Sequence, residues 1–148
     1  MCIRDSTCLA AFWAFSIAGA EDLPKIEVFK SPTCTCCTKW AKHLEDAGFD
    51  VTTRDETDMN SVKKELGVPA AKASCHTAVV DGYVIEGHVP AKDIIELLKQ
   101  RPQVAGLTVP GMPLGSPGME APRSQPYVVY TFDDDGNTEP FAEHNTEQ

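Results

Sequence analysis

The sequence predicts a mixed α/β domain with a central four-stranded sheet, flanking helices, and a C-terminal loop and β-hairpin. A strand pattern at residues 25–30 runs directly into a cysteine-rich turn and then a helical pattern. Two apolar runs flank Asp81-Gly82, a dipeptide typical of hairpin turns. A last amphipathic segment follows Pro90. With 148 residues, of which 42% are hydrophobic, the chain is long enough for one domain with its own core.

The first half of the chain alternates strands and helices. The segment KIEVFK, residues 25–30, alternates apolar and polar positions as a strand does. Apolar residues then recur at helical spacing over residues 37–47. FDVTTR, residues 49–54, is predicted to be a second strand, and the short helix through SVKKELG is capped by Asp58 or Asn60.

The hairpin HTAVVDGYVIEGHV, residues 76–89, is expected to supply the third and fourth strands. AKDIIELLKQR, residues 91–101, has a broad apolar face and ends at Pro102. The predicted order is therefore β, α, β, α, β, β, α. Because a strand, a Cys-x-x-Cys turn and a helix in succession are typical of thioredoxin-like proteins, we assign residues 21–102 to a thioredoxin-like domain.

Residues 103–148 are expected to form a loop and a hairpin that pack on the same domain. Residues 103–126 are rich in Pro and Gly, which predicts a loop without regular elements. YVVYTF and NTEPF then flank DDDG as a hairpin. Four alternating oxygen-bearing residues near this turn resemble calcium ligands, but the glycine is misplaced for an EF-hand, so we interpret a solvated turn. They are Asp133, Asp135, Asn137 and Glu139.

The charge of the chain argues against two classes of partner. The formal net charge is −9 and the pI is near 4.8. Nucleic acid and anionic lipid carry the same sign of charge and would be repelled. No basic cluster in the sequence offsets this charge.

Residues 1–20 are predicted to be a signal peptide. CLAAFWAFSIA, residues 8–18, is an apolar run too short to span a bilayer, and AGA follows with the small-x-small pattern of a signal peptidase site. We place cleavage after Ala20, so the mature chain is expected to be exported without stable membrane insertion. Residues 1–7 lack the positive charge of a secretory start, which fits a truncated or non-native start.

The segment SPTCTCCTKW places three cysteines at the start of a predicted helix. Signal cleavage would leave these three and Cys75 in an oxidising compartment. Two structural disulfides are the simplest reading, although neighbouring cysteines pair with strain. The amides and dipole of a helix N-terminus stabilise thiolates, so the pKa values of Cys34 and Cys37 should be lowered. A redox dithiol made from this pair leaves Cys36 without a role.

Closely packed thiolates suit Cu(I), and a sulfur can bridge two ions where more thiolates are present than one ion needs. A copper cluster would therefore use Cys36. Zinc is the alternative ion for four thiols, although structural zinc sites usually combine two separated cysteine pairs. The spacing favours copper over zinc.

Three segments of the chain are similar to a known protein family, and the similarity covers nearly all of the chain after Ala20. The segments are SPTCTCCTKW, SCHTAVVDGYVIEGHVP and VPGMPLGSPGME. Together they resemble the DUF411 family of exported, thioredoxin-like copper-resistance proteins, also called CopG-like metal-binding proteins. The usual family pattern has a glycine where Thr35 stands here. This difference adds a side chain at a tight turn but removes no ligand.

The resemblance implies a copper site of cysteines with methionine and histidine donors. The matching residues are Cys34, Cys36, Cys37, Cys75, Met112 and Met119. The hairpin supports Cys75 independently, because on a glutaredoxin-type pattern the cis-proline position falls at His76 and the preceding residue faces the cysteine turn. The ion is expected to be Cu(I), in a site able to hold several ions, with Cys36 as a bridging thiolate.

Two of the four histidines are candidates for the same site. The glutaredoxin-type overlay places His88 at the end of the fourth strand on the cysteine side, as a ligand or as a donor to a ligand. His76, next to the fourth cysteine, is a candidate on the same grounds, with a turn or packing role as the alternative for both. We interpret His43 and His144 as surface residues and Trp40 as a core or rim aromatic.

Three functions are compatible with these patterns. The first is an exported copper-binding protein for copper resistance, able to cycle between Cu(I) and Cu(II) and to exchange copper with other periplasmic proteins. The second is a thiol-disulfide oxidoreductase that uses Cys34 and Cys37. The third is a zinc-binding module whose folding depends on the metal. Because no pattern establishes turnover, a metal-binding protein is favoured over an enzyme.

Overall fold

A computed structural model describes residues 22–145 of the chain. The predicted signal peptide, residues 1–20, lies outside the described residues. The described elements are β1 Lys25–Lys30, α1 Thr35–Asp46, β2 Asp50–Asp55, α2 Met59–Glu65, a 3₁₀ turn Ala70–Lys72, β3 Thr77–Val80, β4 Tyr83–Glu86, α3 Ala91–Gln100, β5 Gly106–Thr108, β6 Tyr127–Phe132 and β7 Thr138–His144. Over this part of the chain, no helix has the length and apolar character needed to cross a membrane.

The prediction of a mixed α/β fold is confirmed, but the sheet has seven strands rather than four. Its order is β2-β1-β3-β4-β5-β6-β7. The β1–β2 and β4–β5 pairs are parallel and the other neighbours are antiparallel. The C-terminal hairpin of β6 and β7 therefore extends the central sheet instead of standing apart from it.

The additional strand that makes this extension possible is β5. It lies inside the region predicted to have no regular elements, and that prediction is wrong for residues 106–108. Each of its three residues pairs with β4 on one side and with β6 on the other. A three-residue strand is too short to produce an alternating pattern, so only its sheet partners reveal it.

The helix after the cysteine turn begins at Thr35, two residues earlier than the predicted start at Cys37. Cys36 and Cys37 therefore lie in its first turn. Trp40 is fully buried beneath this turn, and its indole N–H donates to the carbonyl oxygen of Val89 at 2.8 Å. This bond ties α1 to the chain segment that leads from β4 into α3.

The hydrophobic core lies between the sheet and the two longer helices. Side chains from β1 and β4 meet the apolar faces of α1 and α3, as their helical spacing predicts. Its largest members with no solvent exposure include Trp40, Ile26, Leu44, Ile85, Ile94, Leu97 and Leu107. This packing gives the cysteine turn a rigid support.

The interpretation of His43 and His144 as surface residues is not supported by their contacts. His43 is partly buried, and its Nε2 accepts the backbone N–H of Ala91 at 3.0 Å, at the start of α3. His144 bonds to Asp93 at 2.6 Å and stacks on Tyr127. Both contacts join elements that are distant in sequence, which a local reading of the sequence does not anticipate.

The contact between His43 and α3 predicts a pH-dependent stability. Burial lowers the pKa of His43 below its ordinary 6.5, against the opposing influence of Glu120 and Asp46. As the pH falls below about 6.5, the unfolded chain takes up the proton first, so stability present at neutral pH is lost. Protonation of His43 also removes the acceptor for the backbone N–H of Ala91. The hydrogen bond lost in this way contributes about 1 kcal/mol to stability.

His43→Gln tests this contribution because glutamine keeps an acceptor oxygen but does not titrate. We expect the free energy of unfolding, measured by urea denaturation, to fall more steeply from pH 7 to pH 5 in the unmodified protein than in the variant. The comparison removes the contributions of the other histidines, which both proteins share. Parallel profiles would show that His43 carries none of this dependence.

Candidate metal centre

The cysteine turn is held at the amino end of α1. Cys34 is the residue before the helix, and its Sγ forms a disulfide with Cys37. Because both sulfurs are in the bond, the lowered pKa values predicted for this pair do not apply to the chain in this state. Cys36 is a free thiol whose Sγ lies 3.4 Å from the Sγ of Cys34.

Cys75 lies opposite this turn, as the hairpin pattern predicts. β3 runs antiparallel to β1, and Thr77 pairs with Phe29 near the end of β1. The residues just before β3 must therefore lie beside the residues just after β1, which form the cysteine turn. The Sγ atoms of Cys36 and Cys75 are 3.9 Å apart. All four cysteine sulfurs lie within 4.8 Å of one another.

Cys75 also belongs to a second group of donors, which it forms with two buried histidines. Its Sγ lies 3.1 Å from Nε2 of His88 and 3.2 Å from Nδ1 of His76. His88 Nδ1–H donates to the carbonyl oxygen of Pro117 at 2.7 Å, which leaves the lone pair of Nε2 directed at Cys75. Sequence reasoning placed both histidines here but did not anticipate that one sulfur would contact both.

The environment of His76 differs from that of His88. Its ring packs on Trp40 with 4.3 Å between centroids. Nε2 of His76 is buried without a hydrogen-bond partner among the described residues. Its Nδ1 lies toward Cys75, and the ring packs between Trp40 and His88.

The protonation states around Cys75 follow from burial. Burial, and next the neighbouring Cys36, raise the pKa of Cys75 to about 12. Burial also lowers the pKa of His88, and lowers that of His76 well below its ordinary value. In the metal-free protein at neutral pH, Cys75 is thus a thiol beside two neutral imidazoles. Binding a metal ion through Cys75 must release a proton.

The two methionines occupy different places at the site. Met112 has its Sδ 4.0 Å from the Sγ of Cys36 and is 50% exposed. Met119 lines the same open cavity of about 590 Å³, and its backbone is held by Gly115 and Ser116. Further lining residues are Cys34, Cys36, Lys39, Cys75, Leu114 and Glu120. The structure thus brings Met112 to the thiols and Met119 to the wall of their cavity.

Gly118 allows the methionine loop to lie against α1. It has a φ of +90°, and a Cβ at this position would lie 2.7 Å from the carbonyl oxygen of Cys36 and 3.0 Å from Nδ1 of His88. Neither neighbour is at the end of a flexible side chain that could move aside cheaply. A glycine is therefore required both for the backbone conformation and for the close approach.

A matched pair of substitutions separates these two requirements. Gly118→Ala is expected to destabilise the protein by about 3 kcal/mol, because backbone strain and steric overlap add. Gly111→Ala should cost only about 1 kcal/mol, because Gly111 has a φ of +71° but no atom within 4 Å of its added Cβ. Urea denaturation of both variants checks the difference, and equal losses would contradict the proposed overlap.

Sequence reasoning missed a polar network behind the site. Glu86 is fully buried at the end of β4 and forms an ion pair with Lys63 of α2. It also accepts the backbone N–H of Ser74, the residue before Cys75, at 2.7 Å. The signal was present in YVIEGHV, where one carboxylate interrupts an apolar strand that leads to His88.

The chemistry of the donors restricts the ions that fit. One group of candidate ligands consists of four cysteines and the other of one cysteine and two histidines, and the Sδ thioether of Met112 lies 4.0 Å from the Sγ of Cys36. Thiolates and thioethers are soft ligands that suit Cu(I), whereas imidazole suits copper and zinc. Calcium and magnesium require oxygen ligands, which neither group provides. The donor set therefore fits a soft transition-metal ion.

Comparisons with known proteins agree with this chemistry. The DUF411 family, described as a protein family of unknown function, matches residues 72–119. These residues carry Cys75, both histidines and both methionines. No curated protein matches the chain.

Two solved structures are similar over most of the chain. Their titles are "Copper resistance protein copG- Form 1" and "Copper resistance protein copG- Form 2". Each is 47% identical to this chain, covering 82% of it and 98% of the other chain, with TM-scores of 0.78 and 0.79. The chain therefore belongs to the DUF411 family of CopG-like proteins.

Proposed function

We propose that this protein is an exported copper-binding protein that contributes to copper resistance by binding Cu(I). The observation that carries the proposal is the convergence of four cysteine sulfurs within 4.8 Å of one another, next to a half-exposed methionine. The two similar structures, both of copper resistance proteins, support it. The ligands we assign are Cys34, Cys36, Cys37, Cys75, Met112, Met119, His88 and His76.

The contacts suggest an order in which these ligands act. Cys36 and Cys75 are free thiols, and Met112 lies within 4.0 Å of the first of them. Cys34 and Cys37 can join only after their disulfide is reduced. Cys75 contacts both the thiol group and the imidazole group, so we assign it a bridging role beside the one predicted for Cys36. A site with two bridging sulfurs is suited to more than one Cu(I) ion.

The location and domain organisation belong to the same proposal. We infer export to the periplasm from the signal-peptide pattern that ends at Ala20. We assign residues 21–102 to a thioredoxin-like domain because the strand order β2-β1-β3-β4 is combined with a cysteine turn between β1 and α1. We assign residues 103–148 to the segment that follows it; the described part of this segment, residues 103–145, pairs with β4 through β5 and carries Met112 and Met119.

Anaerobic titration of the reduced mature protein with Cu(I) tests the function. We expect more than one tightly bound copper per chain, and a lower copper-to-protein ratio for Cys36→Ser, because this variant removes a proposed bridging thiolate. Elemental analysis after desalting gives the ratio. The copper proposal fails if the protein binds no copper tightly yet reduces disulfides, with Cys36→Ser fully active.

A thiol-disulfide or copper oxidoreductase is the second candidate, and the disulfide between Cys34 and Cys37 favours it. On oxidation, the two thiols would form the disulfide and release two protons, and their two electrons would reduce two Cu(II) to two Cu(I). The same two electrons could instead reduce a substrate disulfide to two thiols. Turnover with Cu(II) or with a model disulfide would distinguish an enzyme from a copper-binding protein.

A structural zinc module is less well supported. Its fold should depend on the metal, because a structural zinc site contributes directly to folding free energy. The hydrophobic core is built from apolar side chains of the strands and helices, and of the four described cysteines only Cys37 is fully buried. We therefore expect a chelator to leave the circular dichroism spectrum unchanged.

A further inference from the structure

Three segments outside the cysteine turn carry the remaining donors of the site. Cys75 and His76 precede β3, His88 follows β4, and Met112 lies in the loop after β5. Each of these segments also contributes a residue to a single hydrogen-bond network. We call it the Glu86 network, and its members are Lys63, Ser74, Thr77, Glu86 and Gly111.

Glu86 is the centre of this network. Its side chain has no solvent exposure, and both carboxylate oxygens are used. Oε1 accepts from Nζ of Lys63 at 2.5 Å and from the backbone N–H of Ser74 at 2.7 Å. Oε2 accepts from the hydroxyl of Thr77 at 2.6 Å, and Lys63 also donates to that hydroxyl at 2.9 Å. A buried charge with every contact satisfied has little freedom to move.

Ser74 transmits this constraint to two donor segments at once. Its backbone N–H is held by Glu86, and the next residue is Cys75. Its hydroxyl donates to the carbonyl oxygen of Gly111 at 2.5 Å, and the residue after Gly111 is Met112. The distances from Cys36 to Cys75 and to Met112, 3.9 and 4.0 Å, therefore depend on one serine that is anchored by one carboxylate.

General stability does not explain the choice of a charged pair here. Replacing a buried ion pair by apolar residues of similar volume is often neutral or stabilising. The neighbours of Glu86 along β4 are apolar, so an apolar residue would continue the strand. What an apolar residue cannot do is accept the N–H of Ser74.

We propose that Glu86 is a positioning residue, which through Ser74 holds Cys75 and Met112 at their places beside Cys36 in the metal-free protein. The proposal rests on the proposed function for the identity of the metal. The positioning itself is a property of the metal-free chain, and it can be measured without copper.

Alkylation of the metal-free protein, with the Cys34–Cys37 disulfide intact, tests the positioning. Iodoacetamide then modifies Cys36 and Cys75, and peptide mass mapping gives a rate for each thiol. Loss of a hydrogen bond to a charged group shifts a local opening equilibrium by about tenfold or more. We expect Glu86→Met to raise the rate of Cys75 about tenfold relative to that of Cys36, which serves as the internal reference.

A double variant separates positioning from stability. Glu86→Met alone leaves the largely buried ammonium group of Lys63 without its carboxylate partner, whereas Lys63→Met/Glu86→Met removes both charges and should regain stability toward urea. We expect the Cys75 to Cys36 rate ratio to stay raised in the double variant, because Ser74 still lacks its acceptor. Asp93→Asn, which alters a buried carboxylate bonded to His144, should leave the ratio unchanged.

The outcomes are distinct for each claim. The proposal would be overturned if the double variant regained both its stability and the original ratio of Cys75 to Cys36 alkylation rates. It would also be overturned if Glu86→Met left this ratio unchanged. In copper competition experiments, the double variant should bind Cu(I) about 10- to 100-fold more weakly than the unmodified protein does. This is the usual loss of metal affinity when a residue that orients a ligand is replaced. If the unmodified protein binds no copper, the proposed function fails while the alkylation result still decides the positioning.

Discussion

Replacing Cys75 with serine is expected to weaken Cu(I) binding by more than about 100-fold, because residues that only orient ligands already contribute 10- to 100-fold. Among the described cysteines, Cys75 is the one that contacts both the Cys36 thiol and the imidazoles of His76 and His88. Its loss separates the two donor groups. Competition with a colorimetric Cu(I) chelator, under anaerobic and reducing conditions, gives the affinity.

The pH dependence of the same measurement identifies the role of Cys75. Its thiol stays protonated far above neutral pH, since burial and Cys36 raise its pKa to about 12. The binding of copper through this sulfur releases its one proton, and this release makes the apparent affinity rise about tenfold per pH unit between pH 6 and pH 8. In Cys75→Ser, the rise of apparent Cu(I) affinity with pH should be smaller by the contribution of one released proton. A variant with the original slope and less than about threefold weaker binding would contradict the assignment.

Oxidation of Cys34 and Cys37 is expected to lower the copper capacity of the protein by at least about twofold, because a sulfur in a disulfide is no longer a thiolate ligand. The disulfide leaves Cys36 and Cys75 as the free thiols of the described residues. Capacity should be compared by elemental analysis of oxidised and reduced protein loaded anaerobically with Cu(I).

The double variant Cys34→Ser/Cys37→Ser is the control for this effect. It cannot form the disulfide, so its capacity should be low and independent of prior oxidation. Equal capacity in the oxidised and reduced forms of the unmodified protein would mean that Cys34 and Cys37 are not copper ligands. The pair would then fit a dithiol that only transfers electrons.

Local sequence patterns were sufficient for the elements around the site. The alternation in β1, the helical spacing around Trp40 and Leu44, and the Asp81-Gly82 turn each depend on residues that are neighbours in sequence. The position of Cys75 was also predictable, because a hairpin fixes which residues lie beside the end of β1. That single long-range step was enough to bring the fourth cysteine to the other three.

Features that depend on contacts between distant segments could not be predicted in this way. β5 has only three residues and is defined by its pairing with β4 and β6. The contact of His43 with the start of α3 requires two packed helices. Whether Cys34 and Cys37 are joined depends on their oxidation state as well as their spacing. The role of Glu86 depends on Lys63 and Ser74, which are distant from it in sequence, so the pattern of its strand alone does not reveal it.

The central claim is that copper is held by sulfur, and copper K-edge X-ray absorption of the reduced protein loaded with Cu(I) tests it most directly. We predict an edge typical of Cu(I) and a coordination shell dominated by sulfur, with additional scattering from neighbouring copper ions, because we propose that Cys36 and Cys75 bridge them. A shell dominated by nitrogen and oxygen donors would contradict the account, since the thiols that converge at the start of α1 would then not hold the metal.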